Sequence, residues 1–172
     1  MTDVTPGARR LVVVRHGRAD AYASTDHDRE LTPRGREDAA ALGAWLAEQG
    51  WLPDVAIVSS ATRTRQTWSA LADAAGLTIE ESVEDGVYNA GPDSVLDVLR
   101  ALPGDPATVL LLGHNPTVAW LANSLDDGEG DPAELMKVMD GFPPASAALL
   151  ELTGTWRDLG DGAARLVRSW RP

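Results

Sequence analysis

Arg15-His16-Gly17 follows the apolar run Leu11-Val12-Val13-Val14, which puts a histidine flanked by an arginine at the end of a short strand and inside a glycine turn. Two more polar sets are delivered in the same way. Ser59-Ser60-Ala61-Thr62-Arg63 follows Val55 to Val58, and Gly113-His114-Asn115 follows the apolar stretch Ala107 to Leu112. Alone, the first tripeptide is equally an arbitrary polar turn; the other two sets decide the matter. Arginine presents a planar fork that holds two phosphate oxygens at once and stays charged at any working pH. A neutral imidazole, with an ordinary pKa of about 6.5, attacks phosphorus at neutral pH without a separate base. The chemistry expected of these residues is phosphoryl transfer in a cationic pocket. Of Arg63 and Arg65, Arg63 is expected to face that pocket, because it lies nearer the start of a helix, where anions are favoured.

These groups converge only if their strands are parallel neighbours, since the carboxyl ends of a parallel sheet lie along one edge. The hydropathy pattern supports that arrangement. Strands are expected near Arg10 to Arg15, Val55 to Val58, Thr78 to Val83 and Ala107 to Leu112, with helices between them. Thr32 caps the first helix with Pro33 at its first position and Gly50 at its end, and Ala39, Leu42, Trp45 and Leu46 form its sheet-facing stripe. A second helix spans Thr62 to Ala75, closed by Gly76, and others run from Asp93 to Leu102, after Pro116 through about Leu125, and from Pro132 to Met139. Two last strands, Ala145 to Leu152 and Ala163 to Trp170, complete a three-layer α/β/α sandwich with a mostly parallel sheet and an antiparallel edge strand. Residues 1–9 are expected to be a flexible tail before a single domain.

Composition narrows the function further. A chain of 172 residues buries a core without metals or disulfides, and the absence of cysteine removes thiolate ligands and thiol nucleophiles. A net charge of −11 argues against nucleic-acid partners, which are held by Lys and Arg on phosphates. No stretch approaches the roughly 18 apolar residues of a membrane span. The expectation is a soluble cytoplasmic protein without nucleic-acid or membrane partners. Most of the six tryptophans read as core, with Trp51 packed under a loop. The acidic run Asp126 to Asp131 lacks the alternating oxygen ligands of an EF-hand and reads as a solvated turn.

Taken in order, Arg15-His16-Gly17, the segment Ser59-Ser60-Ala61-Thr62-Arg63-Thr64-Arg65-Gln66-Thr67 and Gly113-His114-Asn115-Pro116 resemble the signature set of the histidine phosphatase superfamily. The resemblance runs from Leu11 to about Leu152. The short length is similar to the compact SixA-type phosphohistidine phosphatases rather than to the larger phosphoglycerate mutases, and implies a phosphoglycerate mutase-like fold. Asp26-His27-Asp28-Arg29-Glu30-Leu31-Thr32 resembles a stretch of that branch whose arginine reaches the phosphate, a role the resemblance gives to Arg29. His27 reads as structural or rim-lining.

The resemblance implies a phosphohistidine intermediate on His16, with Arg15, Arg29, Arg63 and His114 around the phosphoryl oxygens, Gly17 and Asn115 completing the phosphate site, and neither metal nor cofactor. A protonated His114 would donate to phosphate. Alcohol leaving groups need a general acid. Glu84 or Asp85, after the third strand, is the candidate; if neither reaches the pocket, phosphohistidine is favoured, because its ring departs as neutral imidazole. The expected partner is thus a phosphorylated protein histidine. Two alternatives stand beside it: a phosphatase or mutase of small sugar or nucleotide phosphates, and a phosphate-binding module without turnover.

Overall fold

In a computed structural model that describes residues 7–172, six strands form one sheet in the order β3-β2-β4-β1-β5-β6. The strands are β1 (Arg10–Arg15), β2 (Val55–Ser59), β3 (Glu81–Glu84), β4 (Thr108–Gly113), β5 (Ala147–Leu152) and β6 (Ala164–Trp170). The helices are α1 (Pro33–Gln49), α2 (Thr62–Ala75), α3 (Pro92–Arg100), α4 (Thr117–Ser124) and α5 (Pro132–Met139). β4 and β1 are central neighbours, and every residue of β4 is buried. Strand side chains alternate between faces. Val12, Val14, Leu110 and Leu112 therefore pack with Leu42, Leu46, Trp68 and Leu71 of α1 and α2. Leu11, Val13, Val109 and Leu111 pack on the other face with Val95, Leu99, Leu121 and Val138 of α3, α4 and α5. The three-layer α/β/α sandwich follows from this alternation.

β1, β2, β3 and β4 pair in parallel, whereas β5 pairs antiparallel with both β1 and β6. The edge strand β6 thus pairs antiparallel with its neighbour, as expected of the terminal pair, and β5 is antiparallel to strands on both sides. The cause is connectivity: β5 runs back beside β1, and the hairpin into β6 restores the original direction at the edge. The third strand also begins later than the Thr78 start expected of it. With Ala56 opposite Glu81, Thr78 would face Pro53, which has no N–H to offer a ladder.

Local signals in α1 act as expected. Thr32 Oγ1 accepts from the Gly35 amide, and Gly50 ends the helix in the left-handed region at φ 69°. Ala39, Leu42 and Leu46 are buried, while Trp45 is half-buried and lies against Trp170 at 5.3 Å between ring centres. Trp51, Trp68 and Trp156 are buried, and Trp51 carries the Arg10 guanidinium 4.8 Å from its ring centre, whereas Trp120 is exposed. The acidic loop is structural. Asp126 accepts from the Leu166 amide, Asp127 pairs with Arg165, and Asp131 caps α5.

The expected tail falls mostly on residues 1–6, outside the described residues. Arg9 is no part of a loose tail, because it pairs through two N–H groups with Asp105 and its carbonyl accepts from the Leu152 amide. Among the described residues no helix is long and apolar enough to cross a membrane.

Candidate active site

The carboxyl ends of β1, β2 and β4 bring Arg15, His16, Arg63 and His114 together at a cleft of about 330 Å³, lined also by Arg18, Arg29 and Asn115. Register explains the meeting. Arg15 lies opposite Gly113 across the β1–β4 ladder, and the His16 amide donates to the Gly113 carbonyl. The ring centres of His16 and His114 are 5.2 Å apart.

The segment from Ser59 to Thr67 sets the turn from β2 into α2. Thr64 Oγ1 donates to the Ser59 and Ala61 carbonyls, holding the turn closed. Gln66 Oε1 accepts from the Leu31 amide and so pins the loop that carries Arg29. Thr67 Oγ1 accepts from the Gly17 amide at 2.9 Å. The Gly17 N–H is thereby held on Thr67 in this structure. A Cβ at Gly17 would stand 2.7 Å from the Gly35 carbonyl oxygen, so the close approach to α1 requires glycine.

His16 is buried, and its Nδ1 lies 2.7 Å from the Gly17 carbonyl oxygen. A carbonyl only accepts, so Nδ1 carries the proton and Nε2 keeps the lone pair. Burial pushes the His16 pKa down to about 4, aided by the cations of Arg63, Arg15 and Arg29 and opposed by the Gly17 hydrogen bond. The ring is neutral at neutral pH, with its tautomer set by the backbone.

His114 is held in a complementary way. Arg63 Nη2 donates to its Nδ1 at 3.2 Å, which leaves Nε2–H to donate to Ser59 Oγ at 2.7 Å. Burial, followed by His16 and Arg63, pushes its pKa down to about 3. Arg63 itself is 5% exposed, and its Nε is buried without a partner. Arg65 is exposed, as the helix position predicts. Arg15 Nη1 and Asn115 Nδ2 both donate to the Phe142 carbonyl, at 3.0 and 2.9 Å, and Arg15 Nε is likewise buried and unpartnered. The loop after α5 thereby steadies residues from two motifs at once.

Arg29 lines the cleft and is paired with Asp26. His27 lies outside the cleft lining, with Nε2 3.2 Å from Ser60 Oγ and its ring edge-on to Tyr88. Glu84 and Asp85 do not reach the cleft. Glu84 ends the edge strand, accepts from Ser82 Oγ and borders a separate groove with Val55 and Leu102; Asp85 is exposed at the start of a 3₁₀ turn. That turn delivers Tyr88 and Asn89 toward the site instead: Tyr88 Oη donates to Asp26, and Asn89 lines the cleft. Asp26, Tyr88, Ser59, Asn89 and Arg18 received no role from the motifs. Asp26 had a signal, three residues before Arg29, and Arg18 follows the first motif directly.

The depressed histidine pKa values make stability depend on pH with a definite sign. In the unfolded chain both rings titrate at about 6.5, so between that value and about 4 the unfolded chain binds protons that the native site refuses. Stability is full above about pH 6.5 and falls on acidification, by about 1.4 kcal/mol for each displaced pKa unit. Urea melts at pH 7 and pH 4.5 should show a loss of several kcal/mol at the lower pH, on that same scale. The double variant His16→Asn, His114→Asn should lose less; equal losses would show that the rings are not responsible.

The model of the histidine phosphatase superfamily (branch 1) matches residues 11–84. The chain is 38% identical to a candidate phosphohistidine phosphatase SixA from Nakamurella multipartitia, with a TM-score of 0.81 over 96% of this chain and 97% of that one. A protein histidine phosphatase SixA solved with tungstate aligns with a TM-score of 0.77 at 25% identity, over 95% of this chain and 97% of that one. The phosphohistidine phosphatase SixA of Escherichia coli is 29% identical over 125 residues, 72% of this chain and 78% of that one. The matched family model, the matched fold and the matched length converge: the chain belongs to the histidine phosphatase superfamily and is a phosphatase.

Proposed function

We propose that this phosphatase removes phosphate from histidine on proteins, without a metal ion, through a phosphohistidine intermediate on His16. One observation carries the reading: a neutral His16 whose Nδ1–H is fixed on the Gly17 carbonyl, inside a cleft lined by Arg15, Arg18, Arg29 and Arg63. His16 Nε2 attacks phosphorus as the bond from phosphorus to the departing imidazole nitrogen breaks. That imidazole leaves neutral, keeping the proton on its other nitrogen. Water then attacks the phosphoryl group on His16, phosphate departs and the Nε2 lone pair is restored. The arginines stabilise the equatorial oxygens in both steps, where charge and position supply most of the rate. His114 joins them by taking a proton at Nδ1, which requires Arg63 Nη2 to leave that atom for the phosphate.

The substrate class is supported by the leaving group. Among the described residues no acid lines the cleft, Glu84 and Asp85 lie outside it, and the Asp26 carboxylate at its rim is ionised against Arg29 and Arg63, so a leaving group that brings its own proton is favoured over an alcohol. The relatives carrying the SixA name are phosphohistidine phosphatases, which points the same way. Metal independence is supported by charge: four arginines line the cleft and supply the positive charge that a metal would bring to phosphate. A cysteine-free composition suits a reducing compartment, and the cytoplasm is the proposed setting.

A substrate panel tests the reading. A phosphohistidine protein should be hydrolysed far faster than sugar phosphates or nucleotides, with the same rate in the presence of a chelator. The double variant Glu84→Gln, Asp85→Asn should retain the wild-type rate on every substrate. Faster turnover of a sugar or nucleotide ester that collapses in the double variant would replace this reading with a small-molecule phosphatase, and a chelator effect would overturn the metal-free chemistry.

A further inference from the structure

Asp26 occupies the arginines that phosphate needs. Its Oδ1 accepts from Arg29 Nε at 3.0 Å, and its Oδ2 accepts from Arg63 Nη2 at 3.1 Å and from Tyr88 Oη at 2.9 Å. Its backbone carbonyl accepts from Arg63 Nη1 at 2.7 Å. The side chains differ sharply in depth: Arg63 is 6% exposed and Asp26 56%. A carboxylate thus reaches from the rim onto cations that line the cleft, whose lining among the described residues holds no acid.

We propose that Asp26 is a displaceable internal anion that limits how tightly the phosphate product is held. The inference rests on the phosphatase reading of the cleft. Arg15, Arg18, Arg29 and Arg63 surround a pocket in which both histidines are neutral, an arrangement that would bind a dianion strongly and surrender it slowly. Fast turnover needs an opposing term. Asp26 supplies it in two ways. Its charge stands next to the site when phosphate is bound, raising the energy of the product complex. Its oxygens then retake Arg29 and Arg63 as phosphate leaves, so the guanidinium groups are never left without an anion. The hydroxyl of Tyr88 keeps the carboxylate ionised and at the rim, and Tyr88 together with Arg63 and Arg29 holds the Asp26 pKa below the usual carboxylate range despite its partial burial. Asp26 is also an anion near His114, where it opposes the influence of Arg63 and Arg29 on that ring. It is a positioning residue: it acts through the arginines and need not touch the substrate.

Calorimetric titration of the full-length protein with inorganic phosphate and with vanadate tests this. Asp26→Asn keeps the shape and removes the charge; both anions should bind about tenfold more tightly, the scale of one charge removed at the edge of solvent, and product inhibition of aryl phosphate hydrolysis should set in at correspondingly lower phosphate. Asp26→Ala is the second charge-free variant and should tighten binding in the same direction. Asp26→Glu restores the charge and should return affinity toward wild type, an outcome that mere disturbance of the loop would not give. Thermal melts establish that each variant is folded. If wild type binds both anions and the charge-free variants bind equally or more weakly, the displaceable-anion role is overturned while the phosphatase reading stands. If wild type binds neither, the phosphate pocket itself is overturned and this inference with it.

Discussion

His16→Ala should lower the rate of aryl phosphate hydrolysis by a factor on the order of 10⁴ to 10⁶, the usual cost of removing a nucleophile. The reason lies in how the ring is held. Its Nδ1 is committed to the Gly17 carbonyl and its low pKa keeps Nε2 unprotonated, so no other group in the cleft offers an equivalent lone pair. His114 cannot substitute, because its Nε2–H is held on Ser59 and its Nδ1, once Arg63 turns to the phosphate, takes up a proton. Rapid acid-free denaturation of wild type during turnover should trap phosphate on the protein, labile to acid and stable to base, as expected of a phosphoramidate. Peptide mapping should find it on His16. A variant that retained more than a tenth of the wild-type rate would end the covalent mechanism.

Arg63→Ala should reduce kcat/KM by about 10³, the range found when one preorganised charge donor is lost at a transferring phosphoryl group. Its kcat should carry most of the loss, since Arg15 and Arg29 still bind the ground-state anion. Lysine should not restore activity. Arg63 spans Asp26 on one side and His114 on the other with separate N–H groups of one plane, a geometry an ammonium cannot reproduce. A loss confined to KM would show instead that Arg63 binds substrate and transition state equally.

Much of this site is legible in sequence for a physical reason. Strand β1, strand β4 and helix α2 are short elements with unmistakable ends, and the chemical groups sit within a residue or two of those ends. Arg15, His16, Arg63 and His114 therefore follow from local pattern plus the rule that parallel strands share an edge. The same logic offers an acid only as a candidate. Glu84 and Asp85 do follow a strand of the same sheet, but that strand is at the edge, and the chain turns before it brings a carboxylate inward. What the turn carries to the site is Tyr88, whose bond to Asp26 joins residues far apart in sequence with no periodicity to announce it. Hydropathy distinguishes strand from helix but does not order neighbours within a sheet, so the place of β5 between β1 and β6 is read from the structure alone.

The Phe142 carbonyl, shared by Arg15 and Asn115, has a consequence for how such a site can change over time. Any amino acid supplies a carbonyl, so this brace imposes almost no constraint on residue identity while imposing a strict one on chain path. The brace leaves side-chain identity open, so what restricts substitution in the segment after α5 is separate from it: the buried Phe142 ring and the positive φ of Gly141 and Ala145. Insertions there, rather than substitutions, are the changes that would loosen the phosphate clamp from behind.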